Sequence, residues 1–401
     1  MCSKMQNNLC HLCLYVFAMT NILWLPSWYP SVHDPVYGCF IQKQAEAVCQ
    51  YDAKIQIAVL CVLRANVEKL ETEVLKKDNL LEIKLFYPQK ASFFGIKPIA
   101  YGWYYWRAYR KGMSILKQFD FKPTALHLHV VYGAGLYALW LKIWTGLPLF
   151  ISEHWSGYEQ GAYQKTRYLH RKIFQWCFQK ASASICISNK MYQNLYQKGL
   201  SAKRTFIIPN VVDTVLFSPI KHNAVKIKFI HVSNLDYKIK NVQGILRAVQ
   251  QLAEKNQNFS LEIVGEGKER CLLETMVRET QLQNFVWFSG LLSTEKVAER
   301  LRQSDVFILF SHYEGLPCVI LEALASGLPV IATETGGMHE WITPETGILL
   351  KIGDENALLA AMETMIAHHS KYDKTILRQP IIEKASYPAV GKALSTVYRG
   401  F

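Results

Sequence analysis

Short apolar runs alternate with amphipathic stretches of helical period along most of the chain. Residues 21–25 read as a strand and 38–50 as a helix. Residues 55–63 read as a second strand, and 125–131 and 147–152 as two more around a helical 136–144. An amphipathic stretch at 165–180 and a strand at 183–188 follow. The segment PNVVDTVLFSP (209–219) is punctuated like a linker, and the alternation then restarts. Strands are expected at 228–232, 260–264, 286–289, 306–310 and 329–333. Helices are expected at 242–255, 268–280, 295–303, 317–326 and 357–367. Such alternation implies parallel sheets covered by helices, here two α/β domains in tandem with a cleft between them. The expected limits are an extension at 1–18 outside the fold, domains at 19–212 and 213–385, and a last segment at 386–401. No repeat of 20–50 residues is visible.

Composition and its distribution add four constraints. Half of the 401 residues are hydrophobic, which fits a folded chain. The ten cysteines have no framework spacing, and Cys10 and Cys13 form a CxxC that no second pair completes; a reducing cytoplasmic compartment fits. No apolar run nears the roughly 20 residues of a membrane span. The charge is lopsided: residues 1–200 carry 23 Lys+Arg against 11 Asp+Glu, the remainder 22 against 21. An acidic partner is therefore expected on the first half, such as an anionic membrane surface or a phosphorylated acceptor. The block FFGIKPIAYGWYYWRAYRKG (93–112), aromatics interleaved with cations, fits a membrane interface at least as well as base stacking on a nucleic acid, and equally reads as core aromatics with solvated charges.

One stretch concentrates candidate chemistry: EGLPCVILEALASGLPVIATETGG, from Glu314 to Gly337. Pro317 suits a helix start, Gly327 and Pro329 a stop, and Gly336–Gly337 a tight turn. Glu314 then lies in the loop before a helix and Glu322 inside it, beside free backbone N–H groups that attract anions.

Glu314 and Glu322, with seven residues between them, followed by Gly336, Gly337 and Glu340, resemble the nucleotide-sugar site of retaining family 4 (group 1) glycosyltransferases. The likeness extends through ASASICISNKMYQNL, IIPNVVDTVLFSP, IVGEGKER, SEHWSGY and WLPSWYPSVHDPVYGCF, covering most of residues 21–350. It implies the GT-B fold, two facing Rossmann-like domains with parallel sheets, the first for the acceptor and the second for the donor. A last helix at 387–398 would return to the first domain. By resemblance Glu322 holds the ribose hydroxyls and Glu314 the donor hexose, with Gly315, Leu316 and Pro317 against sugar or diphosphate. His154 would stand near the anomeric carbon and Gly38 in the loop near the donor phosphates, where many relatives have two glycines. The family's phosphate-binding arginine is replaced here by Asn234; Lys240 is the expected phosphate lysine, with Lys238 in reserve. His127 and His129 are expected to be structural and to face opposite ways.

The implied activity is transfer of a hexose from a UDP- or GDP-sugar to a glycan or lipid-linked acceptor, with retention and without metal or cofactor. Its setting would be surface polysaccharide synthesis in the cytoplasm or on the inner face of the membrane. No DxD occurs to hold a metal. Two other enzyme readings are a nucleotide-sugar epimerase of the same fold and an NAD-dependent oxidoreductase. The latter rests on Gly133, Gly135 and Ala138 as a GxGxxA, with Glu153 twenty residues on from Gly133. A nucleic-acid-binding protein is a further alternative from charge alone, but no nucleic-acid module is recognisable, and no nucleic-acid partner is expected.

Overall fold

The computed structural model describes residues 19–90, 97–159, 161–220 and 226–401. The expected extension at 1–18, with its CxxC, lies outside them. The first sheet has eight strands: β1 (Thr20–Pro26), β2 (Ile55–Ala65), β3 (Glu71–Lys77), β4 (Leu80–Pro88), β5 (Ala125–His129), β6 (Leu149–Glu153), β7 (Ala183–Cys186) and β8 (Thr205–Ile207). Their spatial order is β3-β4-β2-β1-β5-β6-β7-β8, parallel except for β3, which runs antiparallel to β4. Its helices are α1 (Cys39–Tyr51), α2 (Lys97–Gln118), α3 (Val131–Thr145), α4 (Tyr168–Lys180) and α5 (Asn189–Gln197).

The second sheet comprises β9 (Ile227–Val232), β10 (Phe259–Val264), β11 (Val286–Gly290), β12 (Val306–Leu309), β13 (Val330–Thr333) and β14 (Gly347–Leu350). Its order is β11-β10-β9-β12-β13-β14, all parallel. Helices α6 (Val242–Lys255), α7 (Arg270–Glu279), α8 (Thr294–Arg302), α9 (Cys318–Ala325), α10 (Glu355–His368) and α11 (Lys374–Ala385) surround it. A final helix, α12 (Tyr387–Arg399), packs on α1 of the first domain, where Gly391 leaves no room for a Cβ against the Ala47 carbonyl.

In both sheets the strand order reverses beside the first strand, between β1 and β5 and between β9 and β12. Loops leaving the carboxyl ends of strands at such a point diverge and leave a crevice for ligands. The loops after β9 and β12 carry Lys240 and Glu314; those after β1 and β6 carry Gly38 and His154.

Two expectations are corrected. The β3–β4 hairpin was not foreseen: β3 (ETEVLKK) is polar and largely exposed, so it lacks the apolar run of a buried strand. His127 and His129 do not face opposite ways. Residues two apart on a strand share a face, and the two rings stand 4.0 Å apart, both fully buried. His127 Nδ1 meets the Tyr398 hydroxyl of α12 at 2.6 Å and its Nε2 meets Ser152 Oγ at 2.8 Å.

Candidate active site

Helix α9 is apolar almost throughout, and Ile320, Leu321, Ala323, Leu324 and Ala325 are buried in the core. Each large aliphatic side chain so buried contributes roughly 1.5–3 kcal/mol, which fixes the helix. Pro317 is its N-cap residue, one position outside the helix. Glu322, one turn in, is carried into the cleft at 9% exposure. Its Oε1 faces Lys43 Nζ of α1, across the cleft, at 3.5 Å. Burial pushes the Glu322 carboxyl above its ordinary pKa, and Lys43 opposes the shift. For Lys43, burial acts downward, but Glu322 and then Cys318 and Cys39 outweigh it and leave the ammonium raised.

Glu314 sits in the loop between β12 and α9. Lys240 Nζ contacts its Oε1 at 2.5 Å and Ser311 Oγ donates to the same oxygen at 2.8 Å. Lys240 closes a single helical turn, Tyr237–Lys240, whose N-cap Asp236 accepts from the amides of Lys238 and Ile239. His312 N donates to the Ile239 carbonyl at 2.8 Å, tying this turn to the Glu314 loop. Lys238, on the same turn, is exposed, as is Asn234, whose backbone carbonyl accepts from Ser233 Oγ and Asp236 N. Of the two candidate lysines, Lys240 is therefore the one brought to a glutamate.

Two glycines are required by close approach. Gly336 has φ +51°, and a Cβ there would lie 2.0 Å from the Gly315 carbonyl oxygen; Gly337 N donates to that oxygen at 2.9 Å. The turn thus backs the Glu314–Leu316 loop. Gly38 (φ +75°) enters α1, and a Cβ would stand 2.5 Å from the Trp28 carbonyl carbon. Glu340 accepts from Asn189 Nδ2 (3.0 Å) and Lys190 N (3.3 Å) at the start of α5, and Asn210 Nδ2 donates to the Leu316 carbonyl (3.4 Å). These contacts hold the two domains together beside the cleft.

His154 follows β6, buried against Phe40 with ring centroids 4.8 Å apart. Burial holds its pKa down at about 3; neighbouring Asn210 opposes this without a hydrogen bond of normal geometry, since both ring nitrogens lack a partner. A neutral ring with unsatisfied nitrogens suits a polar ligand better than an anion.

Next to it, Glu153 is buried and accepts from Val131 N and the Tyr158 hydroxyl, both at 2.9 Å. It therefore faces the chain rather than a nucleotide ribose. At the Gly133 turn, Ala134 N donates to Ser27 Oγ at 2.9 Å, and Val130 adopts φ +63°. Neither geometry favours a dinucleotide at this βα junction.

Burial pushes the Glu153 carboxyl up to about 7, against these hydrogen bonds. Between about pH 4.5 and pH 7 the folded state then binds the extra proton, so Glu153's contribution to stability falls as pH rises through that window. The total is about 3 kcal/mol. Glu153→Gln is expected to gain stability relative to wild type between pH 5 and pH 8, measured by urea unfolding. A constant difference would refute this.

Lys43 was missed by sequence reasoning; a lysine in an amphipathic helix carries no signal that a glutamate 279 positions away will meet it. Removing it leaves Glu322 buried without its cation and raises the carboxyl further. In Lys43→Ala, nucleotide-sugar affinity is expected to begin falling at a higher pH than in wild type as the solution is acidified, because the carboxyl protonates earlier; calorimetry over a pH series checks this, and identical profiles would refute it. Among the described residues no His/Cys/Asp/Glu group is arranged to hold a metal ion.

Two parallel-sheet α/β domains meeting across such a cleft define a GT-B protein. Residues 214–383 match the family model "Glycosyl transferases group 1", and residues 57–216 match "Glycosyltransferase Family 4". The chain thus carries a group 1 glycosyltransferase domain behind a first domain of matching kind. It is 26% identical over 362 residues to a Bacillus subtilis (strain 168) protein assigned as the teichuronic acid biosynthesis glycosyltransferase TuaC, covering 85% of this chain and 88% of that one. Over 256 residues it is 28% identical to a protein of the same strain assigned as the glycosyltransferase EpsF, covering 60% of this chain and 65% of that one. A third match, 26% identical over 230 residues, is to a phosphatidylinositol N-acetylglucosaminyltransferase component of Arabidopsis thaliana. It covers 57% of this chain and spans only 51% of the relative. Among solved structures, Anabaena Alr3699/HepE in complex with UDP superposes with a TM-score of 0.71 at 15% identity, covering 95% of this chain and 100% of that one.

Proposed function

We propose that the protein transfers a hexose from a nucleotide-sugar, UDP- or GDP-linked, to a glycan or lipid-linked acceptor with retention of configuration, in polysaccharide or glycolipid synthesis. One observation carries the reading: Glu314 and Glu322 flank the N-terminus of α9 at the strand-order reversal, each beside a lysine. Ionised carboxylates suit paired hydroxyls, and the free N–H groups at the helix start suit a diphosphate. The neighbour HepE has been solved with UDP-glucose, which supports a sugar diphosphonucleoside as the ligand class.

In this reading Glu322 exchanges Lys43 for the ribose hydroxyls, and Glu314 accepts from the hexose. Lys240 and the start of α9 take up the charge that develops on the leaving diphosphate. The bond from the anomeric carbon to the phosphate oxygen breaks as the bond to the acceptor oxygen forms on the same face. The acceptor's proton passes to the departing phosphate, so no protein base is required. The buried ring of His154 supplies a neutral hydrogen-bonding partner from the acceptor side. With Asn234 where an arginine would stand, Lys43 is the further cation within the cleft.

A nucleotide-release screen over UDP-, GDP- and ADP-sugars, with glycan and lipid-linked acceptors, tests the proposal. Acceptor-dependent release of one nucleotide, absent in Glu322→Ala, is the expected result. Epimerised sugar nucleotide without any acceptor would replace transfer by isomerisation.

A further inference from the structure

Helices α2, α3 and α4 form one layer over the first sheet. α2 packs on β4 and β2, α3 packs on β5 and α4, and Tyr109 of α2 stacks on Tyr137 of α3 at 3.7 Å. Their inward faces are ordinary core. Their outward faces are not, for they expose Trp103, Trp140, Ile143, Trp144, Leu169 and Trp176, with Trp144 77% and Ile143 70% exposed. On α3, Trp140, Ile143 and Trp144 lie three and four residues apart on one stripe, and Trp140 stacks on Trp144 at 5.8 Å. Cations lie among them: Arg107 covers the Trp103 ring at 4.8 Å and Lys172 the Tyr168 ring at 5.4 Å. The three helices hold nine Lys and Arg and no Asp or Glu.

A surface cavity of about 370 Å³ opens among the same helices, lined by Tyr101, Tyr105, Trp106, Leu136 and Phe174. It extends to Val131 and Gly133 at the carboxyl end of β5, the end that faces the cleft.

We propose that this aromatic and basic face docks on an anionic lipid surface, and that the cavity admits the apolar chain of a lipid-borne acceptor. The second half rests on the cleft being a sugar-transfer site. Aromatic and long apolar side chains enter the headgroup boundary, and cations on helices that carry no acidic residue are attracted by the surface potential of an anionic leaflet. A second copy of the chain would meet the same uncompensated positive charge and be repelled. Among the described residues no helix is long and apolar enough to cross a membrane, so the attachment proposed is lateral.

The full chain is sedimented with phosphatidylcholine vesicles containing about 30% phosphatidylglycerol, at about 50 mM and then about 500 mM salt. Pelleting at low salt, release at high salt and no pelleting with pure phosphatidylcholine are expected. Arg107→Gln with Arg110→Gln should weaken binding about thirtyfold, and Trp144→Glu at least about tenfold. All three positions are exposed, so their fold is not at stake. Binding indifferent to lipid charge or to Trp144→Glu would overturn the docking, as would a Trp144-dependent dimer that ignores vesicles.

For the cavity, the probe is dodecyl phosphate below its micelle concentration. Gly102 lines the cavity, and a Cβ there meets open space. Gly102→Trp should abolish dodecyl phosphate binding while leaving vesicle pelleting intact; wild-type protein that does not bind the probe would overturn this half. Neither readout requires sugar transfer. A chain that docks yet releases no nucleotide therefore defeats the proposed activity alone.

Discussion

Glu322→Ala is expected to weaken nucleotide-sugar binding by about ten- to hundredfold, the worth of a hydrogen-bonded charged group, with only a small change in fold stability. The second clause follows from the carboxyl's surroundings. Its helix is core, its burial disfavours the ionised form, and its cation stands 3.5 Å away. An alanine there removes a desolvated charge but leaves Lys43 in the cleft without its anion, so the two effects oppose and thermal stability should change far less than the dissociation constant. Glu322→Gln separates shape from charge: it keeps an acceptor oxygen and should fall between wild type and alanine. Isothermal titration with UDP- and GDP-sugars measures both variants. Unchanged affinity in the alanine variant would remove Glu322 from the ribose.

Lys240→Ala is expected to lower kcat about a hundredfold, the scale of one lost donor to a developing oxyanion, with a smaller effect on donor KM. Lys240 already contacts Glu314, and Ser311 donates to the same oxygen. A purely positioning role would thus be to hold Glu314, and its loss would be felt in donor binding as well as in turnover. The split between kcat and KM decides between holding the hexose-side glutamate and neutralising the leaving diphosphate. Turnover near normal in this variant would end the assignment.

Much of the second domain was legible because most apolar runs there are largely buried parallel strands, such as β10, β12 and β13, and the amphipathic runs are surface helices. Residues 242–255 coincide with α6, and the other boundaries shift by one or two residues, as fraying helix ends usually do. The first domain was harder to read. Its β3 edge strand is polar, and the turn at Asp78–Asn79, with Asp78 at φ +48°, was the available but weak hairpin signal. The 93–112 block, from residue 97 on, proved to lie in a long helix whose inward aromatics are core and whose outward ones are exposed. Composition could not divide these two sets. The family resemblance pointed to Glu314, Glu322 and Lys240, but their pairing is a matter of tertiary geometry. Lys43 reaches Glu322 only because α1 of one domain faces α9 of the other. The histidine pair shows the opposite failure, in which a period of two, wrongly applied, separated two rings that touch.

The return of α12 has a mechanical consequence. The polypeptide crosses between the domains twice, near Val212 and near Ser386. The two crossings lie side by side: Val212 bridges Ser386 in parallel, and Val212 N donates to the Ala385 carbonyl at 2.8 Å. Two strands bonded at one place form a double hinge, which resists twisting and sliding but permits bending about a single axis. Lys43 and Glu322 lie on opposite sides of the cleft, so losing their contact removes one of the ties that hold that hinge closed, beside those at Glu340 and Leu316.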